Sequence, residues 1–164
     1  MRKVFIASLL LFLLCLTACS AKQENPVATA TQTVTAEQTE TTEEREMTQL
    51  TLKIEGQEID VEWEENESVE ALKQLAKSEP VTIDMSMYGG FEQVGSIGSS
   101  LPRNDVQMTS QAGDIVLYQG NQIVIFYGSN SWSYTKLGSI KSLSQEDLTE
   151  LLGNGDVSIT FYNE

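Results

Sequence analysis

The chain has 164 residues, 24 of them acidic and 10 basic, for a net charge of −14, with two cysteines and no histidine. The missing histidine excludes Ser–His and Cys–His nucleophiles and the His/Cys sites typical of zinc and copper. The negative charge repels phosphate backbones and anionic headgroups, so nucleic acid is not an expected partner.

Arg2 and Lys3 precede the apolar run VFIASLLLFLLCL, which Leu16-Thr17-Ala18-Cys19 closes. A basic start, an apolar run short of the about 20 residues a spanning helix needs, and small residues at its end together form a secretory signal. Leu-Thr-Ala-Cys resembles the bacterial lipobox, which implies cleavage before Cys19, lipidation of Cys19 and an anchor holding the chain at the extracytoplasmic face of the cell membrane. Residues 1–19 are therefore expected to be a lipoprotein signal. Cys15 leaves with it and the lipid consumes Cys19, so no free thiol and no disulfide remain. The charge becomes 8 basic against 24 acidic residues, a balance of −16.

Residues 20–47, SAKQENPVATATQTVTAEQTETTEEREM, carry no aromatic residue and no helical or strand period. Such a stretch cannot bury enough apolar surface to offset its ordering entropy, and is expected to be a disordered Thr/Glu-rich tether. As a flexible coil it spans on the order of 30 Å, more where like charges repel.

The pattern changes at residue 48. TQLTLKI alternates with Leu50, Leu52 and Ile54 on one face; EGQ turns the chain; EIDVEWE alternates again with Ile59, Val61 and Trp63 opposite Glu58, Asp60, Glu62 and Glu64. That is a half-buried antiparallel hairpin. Its carboxylates spread along a flat row rather than converging, so the acidic face reads as solvated and no metal is expected. NESVEALKQLAKSEP predicts a helix with Asn66 as N-cap, Val69, Leu72, Leu75 and Ala76 on one face, and Pro80 as the stop. VTIDMSMY predicts a strand with Val81, Ile83, Met85 and Met87 inward. In GGFEQVGSIGSSLPRND, Gly89, Gly90, Gly95 and Gly98 suggest bulges or close backbone approaches in a bent sheet.

DVQMT predicts a short strand, and IVLYQGNQIVIFYG a hairpin turning at Gly120-Asn121. WSYTKLGSI is the next strand. SLSQEDLTELLGNGD predicts a second helix, with Ser144 as N-cap, Asp147 three residues on, Leu148, Leu151 and Leu152 on its apolar face and Gly153 at its end. VSITFY is the last strand. Two helices set near the ends of a run of antiparallel strands fit one domain, residues 48–164, built as a plugged barrel or a sandwich; the glycine-rich middle favours closure.

The stretch from Tyr88 to Gly138, YGGFEQVGSIGSSLPRNDVQMTSQAGDIVLYQGNQIVIFYGSNSWSYTKLG, is similar to the cyclophilin-like domain of bacterial proteins that are often secreted or lipid-anchored. The resemblance extends more loosely from about Thr48 to Tyr162. It implies a mainly β fold, a closed eight-stranded cyclophilin-like β-barrel capped by two short α-helices. It implies neither an assigned reaction nor a cofactor.

A cyclophilin isomerase needs no histidine or cysteine but does need an arginine beside an apolar groove, and the resemblance therefore raises Arg103, the one arginine of the barrel segment. The Phe-His-Arg context of true isomerases is absent, and Arg103 in LPRND reads first as a loop residue paired with Asp105. Isomerase activity through Arg103 is accordingly the alternative. The preferred expectation is a monomeric, non-catalytic module that binds a small molecule, a peptide or an envelope protein. Aromatic, Asn and Arg side chains supply its stacking faces and hydrogen bonds: Tyr88, Phe91, Arg103, Asn130, Trp132 and Tyr134. A purely structural surface lipoprotein is a third reading. Along the strand WSYTKLGSI, Trp132 and Tyr134 share one face with Lys136, and Ser133, Thr135 and Leu137 share the other; the bulkier face is expected to fill the barrel.

Overall fold

A computed structural model describes residues 49–163. The expected signal segment 1–19, the lipidation residue Cys19 and the tether 20–47 lie outside the described residues.

The element order is β1 (Leu50–Ile54), β2 (Gln57–Ile59), β3 (Val61–Trp63), α1 (Glu67–Ser78), β4 (Val81–Tyr88), β5 (Glu92–Ser96), β6 (Val106–Thr109), β7 (Asp114–Tyr118), β8 (Gln122–Phe126), β9 (Ser131–Ile140), α2 (Gln145–Leu152) and β10 (Val157–Asn163). All pairings are antiparallel. The sheet runs β2-β1-β10-β4-β5-β8-β7-β9-β3, with β6 attached to β9 outside this path. Asp60 alone separates β2 from β3, so one bent strand pairs with β1 at one end and with β9 at the other. The sheet therefore curls into a barrel closed but for the Asp60 break, and its eight staves count β2 and β3 as one.

Alternation predicted the interior well. Leu50, Leu52 and Ile54 of β1, Ile83 and Met85 of β4, Ile115 and Leu117 of β7, Ile123 and Ile125 of β8, and Ile159 and Phe161 of β10 meet in one buried cluster. Both helices turn their apolar faces onto it, α1 through Val69, Leu72 and Ala76 and α2 through Leu148 and Leu152. Asn66 caps α1 by accepting from Val69 N–H at 3.0 Å, and its amide donates to the Lys136 carbonyl at 2.9 Å, tying the helix start to β9. Ser144 and Asp147 form the reciprocal capping box of α2; the hydrogen bonds from Ser144 hold the Asp147 carboxyl below its ordinary value. At the other end of α2, the buried amide of Gln93 donates to the carbonyls of Leu152 and Gly155 at 2.6 and 2.7 Å.

Three local expectations are corrected. Met87 is exposed rather than inward: at the end of β4 it has left the barrel interior. The glycine-rich stretch contains a full strand, β5, because alternate residues there still pair in register with β4 and β8. The β7–β8 turn places its positive φ values at Gln119 and Gly120, one residue earlier than the Gly120-Asn121 turn expected.

The largest correction concerns β9. Thr135 and Leu137 face the barrel, whereas Tyr134 belongs to a second buried cluster with Val116, Val124 and Phe126, and Trp132 is 57% exposed. The reason is that the outer face of β9 also buries a side chain, Tyr134, against a cluster of its own. A bulge against β7, where Ile115 pairs with Gly138 but Val116 pairs with Lys136, inserts Leu137 and lets Leu137 and Ile140 share the inner core despite opposite parity.

Candidate functional site

The second cluster lies on the outer face of the barrel, and the strand register builds it row by row. Tyr88 of β4 pairs with Glu92 of β5, which pairs with Phe126 of β8. In the next row Ser86, Val94, Val124, Val116 and Lys136 cross β4, β5, β8, β7 and β9 in turn. Then come Ser96, Gln122 and Tyr118. Outside the barrel path, β6 lays Val106 opposite Tyr134 and Met108 opposite Trp132, raising a wall along β9. Cross-strand partners share a face, so these residues enclose a concavity instead of lying on a flat sheet.

The concavity is a cleft of about 400 Å³, lined by Tyr88, Glu92, Tyr118, Asn130, Trp132 and Tyr134 over a base of Val94 and Val124, with Gln122 beside them. Tyr134 is its keystone. Its ring meets Tyr118 at 5.9 Å and Phe126 at 5.6 Å between centroids, both edge-on, the arrangement favoured by aromatic quadrupoles. Its hydroxyl accepts from the Asn130 amide at 3.1 Å. Burial, then the neighbouring Glu92 charge, raises the Tyr134 hydroxyl above its ordinary value, partly opposed by the Asn130 hydrogen bond.

Asn130 is itself fixed by Ser110, which is fully buried: Asn130 N–H donates to Ser110 Oγ at 2.9 Å, and Ser110 N–H donates to the Asn130 carbonyl at 2.8 Å. The turn residue thus aims its amide into the cleft from a rigid base. Tyr88 and Trp132, 67% and 57% exposed, form the rim.

Glu92 is the unusual member. It is 6% exposed, and its Oε2 is buried without a hydrogen-bond partner among the described residues. Among the described residues, no lysine or arginine lines the cleft. Burial alone pushes its carboxyl from the ordinary 4.5 up to about 7. The other buried acid, Asp114, is treated differently by the fold: its oxygens accept from Gln111 N–H and Ser139 Oγ, each at 2.9 Å, and pair with Lys136 at 3.1 Å.

Of the six residues expected at a site, the cleft brings together Tyr88, Asn130, Trp132 and Tyr134. Phe91 supports it from behind: its ring packs on the outer cluster, and its carbonyl accepts from Tyr127 and Gly128 N–H at 3.0 and 2.9 Å. Arg103 lies elsewhere. It lines a polar recess with Glu64, Glu67, Thr135 and Lys136, and pairs with Asp105 at 3.4 Å. The loop carrying it is pinned where Leu101 enters the inner core, Ser68 Oγ donates to the Pro102 carbonyl at 2.7 Å and Asn104 N–H donates to Thr135 Oγ1 at 2.8 Å. Sequence reasoning missed Glu92, Tyr118 and Gln122. The signal for Glu92 was its two-residue spacing from Val94, which becomes a face only once the register of β5 is known.

A family model described as the cyclophilin-like family matches residues 52–162, from within β1 to within β10. No curated protein and no solved structure matches the chain.

Proposed function

The chain belongs to the cyclophilin-like family, and from that premise we propose that it is a non-catalytic binding module that takes a small ligand or a peptide side chain in the outer-face cleft. The signal and lipobox pattern of the first nineteen residues supports its working position, lipid-anchored through Cys19 at the extracytoplasmic face of the membrane. The observation that carries the reading is the unpartnered carboxyl of Glu92 inside a concavity walled by four aromatic side chains. Ligand sites are mostly apolar concavities holding a few convergent polar groups, and a buried polar atom without a partner is costly unless a ligand supplies one. Arg103 does not line this cleft, which favours binding over isomerase chemistry at that residue.

The test uses the ¹⁵N-labelled full chain titrated with indole and with phenol. Chemical shifts are expected to move at the Trp132 indole N–H and at the Tyr118 and Gln122 amides. Trp132→Ala is expected to weaken binding about tenfold or more while costing less than about 1 kcal/mol of stability, because its side chain is mostly exposed. Shifts concentrated around Arg103 and Thr135, or none at any position, would contradict the reading.

A further inference from the structure

The two buried acids of the outer face set up a contrast. Asp114 has a hydrogen bond on each oxygen and a lysine beside it; Glu92 has an apolar and aromatic surround and a free buried Oε2. A buried anion left without a partner is expensive. The rings of Tyr88, Tyr118, Trp132 and Tyr134 offer what a cation uses besides a carboxylate, since their negative π faces attract an ammonium more strongly as water is removed. The acid excess of the chain, 24 against 10, raises the local concentration of cations around it. One buried free oxygen suits a compact point charge with rotatable N–H donors better than a planar fork that needs both carboxylate oxygens.

Resting on the reading of the cleft as the binding site, we propose that its ligand is a primary ammonium group, seated between the aromatic rings and paired with the Glu92 carboxylate. The group is either the side-chain amine of a lysine in a peptide or a free alkylamine; the chemistry recognised is the same. Asn130 and Gln122, the neutral polar residues of the cleft, remain to orient the rest of the ligand.

The proposal has a signed pH dependence. Ammonium binding requires the Glu92 carboxylate, so affinity rises as pH rises through about 7. The groups facing Glu92 from neighbouring elements are Tyr88 on β4, Tyr118 on β7 and Tyr134 on β9, and burial and the Glu92 charge raise the Tyr134 hydroxyl above its ordinary value. The charged residues of the adjoining outer rows, Asp114 and Lys136, are paired with each other, and Asp156 is held by Met87 N–H and Ser86 Oγ off the end of β4. Across pH 5 to 8 the change therefore belongs to Glu92.

The experiment titrates the full chain by NMR with N-acetyl-lysine N-methylamide, with the same compound acetylated on its side-chain amine, and with n-butylammonium, at pH 5, 7 and 8. The lysine compound is expected to bind about tenfold or more tightly at pH 8 than at pH 5, and at least tenfold more tightly than its acetylated form. Glu92→Gln is expected to abolish both differences. Should that variant fail to fold, Trp132→Ala, on the exposed rim, is expected to weaken the lysine compound at all three pH values. Equal binding of n-butylammonium supports a free amine as sufficient, and binding of the lysine compound alone supports a peptide source. Equal affinity for the acetylated form, or affinity that falls as pH rises, overturns the proposal. If indole and phenol move the Trp132 resonance and neither ammonium does, the cation inference fails and the binding reading stands; if nothing moves it, both fail.

Discussion

Glu92→Gln will be more stable than the parent above pH 7, by about 1–2 kcal/mol, and will match it more closely near pH 4. The folded-state carboxyl titrates near 7 and the unfolded one near 4.5. Below 4.5 both states hold the proton and the residue contributes nothing to the pH dependence. Between these values only the folded state holds it, so stability falls as pH rises and levels off above about 7. Two and a half pH units correspond to roughly 3 kcal/mol at about 1.4 kcal/mol per unit. The cleft opens to water on one side, which reduces the effect to the smaller figure. Urea unfolding of parent and variant at pH 4, 5.5 and 8 measures it, and a difference that stays constant across the three would show that the carboxyl is solvated.

Gly113→Ala will lose about 3 kcal/mol or more, lowering the melting temperature by roughly 10–20 °C. Gly113 immediately precedes β7 with φ +90°, and its backbone is fastened on both sides: its N–H donates to the Phe126 carbonyl at 2.7 Å and its carbonyl accepts from Ile140 N–H at 2.8 Å. A methyl group there would stand 2.6 Å from the Ile140 carbonyl oxygen. Neither neighbour can yield without breaking the pairing of β7 with β8 and β9, the strands that carry Phe126, Val124 and Tyr134 beneath the cleft. Gly56→Ala is the control. Gly56 also has positive φ, in the β1–β2 turn, but nothing lies within 4 Å of an added methyl, so only the backbone strain of about 1 kcal/mol applies. Equal melting temperatures for the two variants would remove the steric argument.

The barrel was legible because most of its strands bury one face. Leu50, Leu52 and Ile54, or Ile159 and Phe161, alternate cleanly, and both helix caps are written in local sequence at Asn66 and Ser144. The site was only half legible, for a physical reason. β9 buries side chains on both faces, and the rule that the bulkier face fills the barrel fails where Tyr134 packs into a separate outer cluster and a bulge at Leu137 shifts the parity. Trp132 and Tyr134 were thus recognised as candidates and assigned to the wrong side. Arg103 and Asn130 both sit in loops, whose destination depends on hydrogen bonds to distant residues, Ser68 and Thr135 for the Arg103 loop and Ser110 for Asn130. Glu92 was hidden because the glycines around β5 obscured the strand that gives its side chain a direction. The same glycines shape the bend: at Gly95 a methyl group would stand 2.6 Å from Ile83 and 2.8 Å from the Asp84 carbonyl oxygen.

Glu92 is held in a cleft open to water on one side, with its buried Oε2 lacking a hydrogen-bond partner among the described residues. The most direct measurement follows the side-chain carboxyl carbon of Glu92 by ¹³C NMR as the ligand-free chain is titrated from pH 3 to pH 9. A midpoint near 7 is the predicted result; a midpoint near 4.5, the ordinary glutamate value, would contradict it.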